Sequence, residues 1–199
     1  MISDYKIVFD IFGVLLSRGF ASSAEQLSNI FKKNIAEIKP VYERWEIPFD
    51  LGSLSEKRFW ELVQQDLGTN IYWEKLNNIV KNGYYPISGS IELLQKYSEL
   101  TDCYLLSNTR REWFKYLDSV YHITKYVKYS FLSYEMKKMK PNLDIFLEAI
   151  KQIGVEPRHI IFIDDSIENI QVARTAGIQA HHFNDAHSVE KFIERLTKE

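Results

Sequence analysis

Short runs of β-branched, aliphatic and aromatic residues recur along the chain, each ending in small or polar residues and followed by a stretch of helical period. The runs predict five strands, over residues 6–9, 103–106, 129–132, 160–163 and 179–183. Apolar positions three and four apart predict helices over 111–120, 143–153, 167–176 and 188–196. Strands alternating with helices build a parallel sheet covered on both faces, an α/β Rossmann-like core. Ile160-Ile161-Phe162-Ile163 fits a strand buried on both faces, because Asp164-Asp165-Ser166 ends the run too early for a helix.

Spacing breaks the pattern once. Ser107 to Lys140 is 33 residues and Lys140 to Asp164 is 24, each about one strand-helix-strand step, whereas Asp10 to Ser107 is 97. The surplus reads as helices over 23–33, 38–45, 55–67 and 73–82, interrupted at Ile47-Pro48 and at Leu51-Gly52-Ser53, with Ser55 as the N-cap of the third. The expected organisation is a core of 1–16 and 86–199 carrying a helical insertion, 17–85.

Composition narrows the partners. With 25 basic against 27 acidic residues the net charge is -2, which offers nucleic acid or an anionic membrane surface no basic excess. Twelve Tyr, twelve Phe and four Trp supply the apolar bulk of a folded chain. The single cysteine, Cys103, begins an apolar strand and reads as a core thiol. No signal-like start and no long apolar run stand out, so the expectation is a cytoplasmic monomer or homodimer.

Ligands of open parallel sheets bind outside the carboxyl ends of the strands. Here those ends carry Asp10-Ile11-Phe12-Gly13, Ser107-Asn108-Thr109, Met139-Lys140-Pro141 and Asp164-Asp165-Ser166. Three carboxylates, a hydroxyl, an amide and an ammonium are thereby aimed at one place. Other conspicuous residues read more plainly. His181 and His182 point to opposite faces of a strand, Arg110 and Arg111 read as solvated, and Arg44, Trp45 and Phe49 either line an entrance or pack between helices.

The ordered set resembles the haloacid dehalogenase superfamily of hydrolases. Phe9-Asp10-Ile11-Phe12-Gly13-Val14-Leu15 resembles the nucleophile motif, Leu106-Ser107-Asn108-Thr109 the second motif, Lys140-Pro141 the third, and Ile163-Asp164-Asp165-Ser166 with Asn169 the metal-binding strand end. The inserted segment, with Gly52-Ser53-Leu54-Ser55 and Phe59-Trp60, is similar to the helical cap of sugar-phosphate phosphatases and of the phosphatase domain of epoxide hydrolases. The resemblance implies Asp10 as a nucleophile forming an aspartyl-phosphate, and Mg2+ held by Asp10, the carbonyl oxygen of Phe12, Asp165 and Asp164. It implies that Ser107, the Asn108 amide and Lys140 bind the phosphoryl oxygens of a small phosphorylated substrate, with Asn169 supporting the acidic loop. Lys137 and Lys138 rival Lys140, which the adjacent Pro141 favours.

One position departs from the pattern. Most family phosphatases carry a second aspartate two residues after the nucleophile as general acid and base, and here that residue is Phe12. A phenyl ring transfers no proton, and a missing positioned acid or base typically lowers rates about 100- to 10,000-fold. Three readings follow: a phosphatase that manages without it, a non-catalytic domain binding phosphate or a partner, and a 2-haloacid dehalogenase, whose halide leaves unprotonated. The retained carboxylate pair favours phosphate chemistry, since beside Asp10 and without a cation it would only add repulsion.

Overall fold

The computed structural model describes residues 1–198. Five strands, β1 (Lys6–Phe9), β2 (Cys103–Ser107), β3 (Tyr129–Leu132), β4 (Ile160–Asp164) and β5 (Gln179–His182), form one parallel sheet in the order β3-β2-β1-β4-β5. The chain steps outward from β1 through β2 to β3, then crosses back to β4 on the other flank of β1, so the topological switch lies at β1. The α/β expectation holds. Strands β2 and β4 each run one residue further than the apolar pattern predicts, which makes Ser107 and Asp164 fully buried final strand residues.

Alternation sorts the sheet into two faces. Ile7, Phe9, Leu105, Ile161 and Ile163 join a cluster that runs on into the inserted helices. Val8, Leu106, Phe131 and Phe162 pack on the opposite side under α9 (Leu143–Ile153), which contributes Phe146, and α10 (Ile167–Thr175). The remaining core helices are α6 (Ser90–Ser98), α7 (Arg111–Tyr121), α8 (Ser133–Met136) and α11 (Ala186–Lys198).

Between β1 and α6 lie α1 (Gly19–Ser22), α2 (Ala24–Phe31), α3 (Ile35–Asp50), α4 (Glu56–Leu67) and α5 (Trp73–Asn82). The two crossings of this segment run side by side. The Ser17 amide donates to the Tyr85 carbonyl at 2.8 Å, the Ser17 hydroxyl donates to the Gly83 carbonyl at 2.9 Å, and the Tyr85 amide donates back to that hydroxyl at 3.0 Å. Ser55 caps α4, accepting from the Arg58 amide at 3.2 Å.

Helix α3 corrects the sequence reading at both ends. It begins at Ile35, because Asn34 accepts from the Ala36 amide while Glu37 reaches back to the Asn34 amide, a capping box. It also continues through Pro48 to Asp50. Proline removes one hydrogen bond there, but Phe49, buried between Phe59 and Trp113, and Asp50, ion-paired to Arg110, hold the last turn in place. Asn77 adds a second tie, its Oδ1 accepting from Trp60 of α4 and from Trp113 of α7 at 3.2 and 2.8 Å.

Candidate active site

Strands β1 and β4 leave the sheet in register, Phe9 beside Ile163, and the Asp10 amide extends the ladder to the Ile163 carbonyl at 2.9 Å. The next residues on each strand are therefore neighbours. One carboxylate oxygen from each of Asp10, Asp164 and Asp165 falls within 4.8 Å of the others.

Lys140, only 2% exposed, reaches into this group: its Nζ is 2.9 Å from Asp10 Oδ2 and 2.6 Å from Asp164 Oδ2. Its rivals lie elsewhere. Lys137 donates to the Leu51 carbonyl and so grips the loop after α3, while Lys138 faces Glu148 on the surface. Asn108 fixes Lys140 by its side chain, Nδ2 donating to the Lys140 carbonyl and Oδ1 accepting from the Lys140 amide, both at 2.8 Å. This clamp between the ends of β2 and the approach to α9 was not apparent in the sequence, where only the Asn108 backbone drew notice. Pro141 lies just before α9, whose cap is Asn142.

The three carboxylates differ in their surroundings. Asp164 is fully enclosed. Both its oxygens accept from Asn169 Nδ2, at 2.9 and 3.0 Å, and Oδ1 also takes the Ser166 amide at 2.8 Å. Burial works against its charge, but Lys140, the Ser166 amide and Asn169 outweigh it and hold the carboxyl below its usual range. Asp10 has fewer donors. Burial pushes its carboxyl up to about 7, Lys140 opposing and Asp164 reinforcing the rise. For Lys140 burial disfavours the ammonium, yet its two carboxylate partners outweigh that and keep it charged. Asp165 is the most open of the three and gives Oδ2 to Arg18.

Gly13 makes room for Asp165. It has a left-handed φ of +85°, and a β-carbon built on it would overlap the Asp165 carboxylate, so both backbone conformation and space require glycine. Ser107 Oγ lies near enough to Asp10 to favour its charged form but completes no hydrogen bond of its own, a buried donor without a partner beside the nucleophile candidate.

Asp10, Asn108, Lys140 and Asp165 open onto a cavity of about 400 Å³ whose far wall is the inserted segment. Phe12, from the loop after β1, lines the cavity half-buried with its ring 5.0 Å from Tyr84, and Lys39, Tyr42, Glu43, Glu46, Ile47 and Asp50 of α3 line the wall. Arg44 and Trp45 bond Asp66 on the outer face instead, and Phe49 is core. Arg110 corrects the expectation most. It is 2% exposed, pairs with Asp50 at 2.9 Å and Glu46 at 2.8 Å, bonds the Tyr42 hydroxyl, and lies 4.2 Å over the Trp113 ring. The Arg110-to-Trp113 interval of one helical turn was the available signal, but its acidic partners are some 60 residues away in sequence and gave none.

Sheet topology, strand-end chemistry and helical insertion together define a haloacid dehalogenase-like hydrolase: the model of that family matches residues 7–177, and the chain belongs to it. Over 192 residues the chain is 27% identical to chloroplastic flavin mononucleotide hydrolase 1 of Arabidopsis thaliana, covering 96% of this chain and 76% of that protein. Its fold is similar to that of a predicted HAD-like family hydrolase from Porphyromonas gingivalis, with a TM-score of 0.78, 23% identity and 98% of each chain covered. It is also similar to a HAD family enzyme from Bacteroides thetaiotaomicron solved with magnesium and inorganic phosphate, with a TM-score of 0.76, 23% identity, and 90% of this chain and 94% of that one covered. Among the described residues no helix is long and apolar enough to cross a membrane.

Proposed function

We propose that this chain is a magnesium-dependent phosphatase of small phosphorylated metabolites, acting through an aspartyl-phosphate on Asp10, with residues 17–85 as a cap that closes the substrate cavity. The observation that carries the proposal is the clustering of three carboxylate oxygens within 4.8 Å, two of them from residues, Asp10 and Asp165, that line that cavity. Three carboxylates against the one buried ammonium of Lys140 and the exposed Arg18 leave net negative charge facing a phosphate ester, and an all-oxygen donor set suits a hard divalent ion that would offset it. Asp10, Asp165 and the Phe12 carbonyl would hold the metal, while Asp164, whose oxygens are taken by Lys140, Asn169 and Ser166, holds the loop and the lysine. When bound, magnesium supplies positive charge that offsets repulsion between nucleophile and phosphate.

The chain's own residues do the rest. Asp10 attacks phosphorus in line and the ester P–O bond breaks, the departing alkoxide taking a proton from water to leave as the alcohol; a second water then cleaves the acyl phosphate, releasing inorganic phosphate and restoring the carboxylate. Lys140 and the unpartnered Ser107 hydroxyl bind phosphoryl oxygens as charge redistributes. The relative that hydrolyses flavin mononucleotide and the magnesium- and phosphate-bound neighbour support this reading over a dehalogenase, whose chemistry gives the acidic group no task.

The test is phosphate release from flavin mononucleotide, sugar phosphates, acyl phosphates and nitrophenyl phosphate, and halide release from 2-haloacids, each with magnesium and with a chelator. Magnesium-dependent phosphate release is expected. Halide release that ignores the chelator would identify a dehalogenase, and silence on every substrate would favour a binding role.

Phe12→Asp tests the departure from the family pattern. Phe12 faces the cavity, so an acid there gains a proton-transfer role without emptying the core. The rate on alkyl phosphates, whose alkoxides need protonation, is expected to rise about tenfold or more relative to nitrophenyl phosphate, which leaves unaided. A ratio of the two rates that stays constant in a folded variant means proton transfer at position 12 is not limiting.

A further inference from the structure

Arg18 follows the β1 loop and is anchored at its base by the Ser17 bonds to Gly83 and Tyr85, yet its side chain is 58% exposed and lines the cavity shared by Asp10 and Lys140. Its guanidinium places two nitrogens on a single oxygen: Nη2 is 2.7 Å and Nε 3.0 Å from Asp165 Oδ2. A β-carbon on Gly13 would overlap that oxygen, so the β1 loop passes close beside it. The Asp165 carboxylate thus lies against the β1 loop and pairs with the arginine that follows it, within reach of Asp10 and Asp164.

We propose that Arg18 is an exchangeable counter-ion of Asp165: it competes with a divalent cation for this carboxylate, and the cation's arrival turns it toward the phosphate of the substrate. The proposal rests on the metal-centred reading above. Charge is its basis. Lys140 already answers Asp10 and Asp164, while Arg18 answers the third carboxylate. A divalent ion bound to Asp165 at the usual distance of about 2 Å would stand roughly 5 Å from the guanidinium and be repelled by it. So exposed a pair breaks readily, and the freed side chain remains beside the cavity. Metal and phosphate then bind cooperatively, each drawing Arg18 in the direction that favours the other. Arg18 is a positioning residue in this scheme, acting through Asp165 and the phosphate's charge.

The experiment is calorimetric titration of magnesium into the full chain, wild type, Arg18→Ala and Arg18→Lys, with and without inorganic phosphate. Without phosphate, Arg18→Ala is expected to bind magnesium about tenfold tighter than wild type, the scale of one nearby charge at a solvated mouth, with Arg18→Lys close to wild type. Phosphate is expected to tighten magnesium binding several-fold more in wild type than in Arg18→Ala. An Arg18→Ala protein with wild-type melting temperature and equal or weaker magnesium affinity would overturn the proposal, as would phosphate coupling identical in the two, or no magnesium binding in either. Because the readout needs no turnover, tight binding in Arg18→Ala stands even if no phosphate ester is hydrolysed, so the proposal and the phosphatase reading fail separately.

Discussion

Asp10→Asn is expected to abolish turnover while leaving the chain at least as stable as wild type. In the proposed mechanism Asp10 is the covalent nucleophile, whose loss lowers turnover by at least about 10,000-fold, and an amide oxygen cannot replace it. Stability moves the other way. Asp10 is buried, and its carboxyl is pushed up to about 7 from 3.8. Between those values the native chain keeps a proton that the unfolded chain releases, so stability declines as pH rises through this window, and the penalty is complete above it. Asparagine removes the penalty, worth on the order of a few kcal/mol, and gives part of it back because Lys140 loses one partner. Melting curves without metal should show the variant above wild type by a few degrees at pH 8 and level with it near pH 4. A variant that melts more than about 5 °C lower at pH 8 would mean that ionised Asp10 stabilises the fold.

Lys140→Met is expected to be the most destabilising single change in the site. The ammonium is the shared counter-ion of two buried carboxylates, Asp10 and Asp164, and Asp164 is wholly enclosed. Removing one partner of a buried pair leaves an uncompensated charge and costs about 3–5 kcal/mol. At about 2–4 °C per kcal/mol for a chain of this size, that is a fall near 10 °C. Turnover should drop at least about 100-fold, since in the proposed mechanism the same ammonium meets the phosphoryl oxygens. Adding Asp164→Asn should restore much of the melting temperature but none of the activity, the signature of two coupled sites. A single variant that melts within about 2 °C of wild type would show that Lys140 is not the counter-ion of this cluster.

The strands and the strand-end chemistry were legible because both are local. An apolar run ending at a polar residue marks the carboxyl end of a buried strand, so Asp10, Ser107 and Asp164 lay where the hydrophobic pattern stopped. Lys140 was separable from Lys137 and Lys138 only through its neighbour Pro141, and burial now distinguishes it. What stayed hidden was pairing across long sequence separations. Pro48 reads as a helix end until Asp50 and Phe49 meet Arg110 and Trp113, and Arg110 reads as solvated until Glu46 and Asp50 surround it. Asn108 could be noted by its motif, but its side-chain clamp on the Lys140 backbone exists only once β2 lies beside that loop.

Arg110 also divides the inserted wall into parts with different freedom to change. Tyr42, Glu46 and Asp50 recur every four residues on α3 and all engage this one arginine. Lys39, Glu43 and Ile47 form the adjacent stripe, which faces the same cavity and makes none of those bonds. The first stripe sets where the helix sits, and substitution there shifts the whole wall. The second can be exchanged while the helix keeps its seat, so on the proposed function new substrate preferences can evolve along 39, 43 and 47 without disturbing the geometry at Asp10.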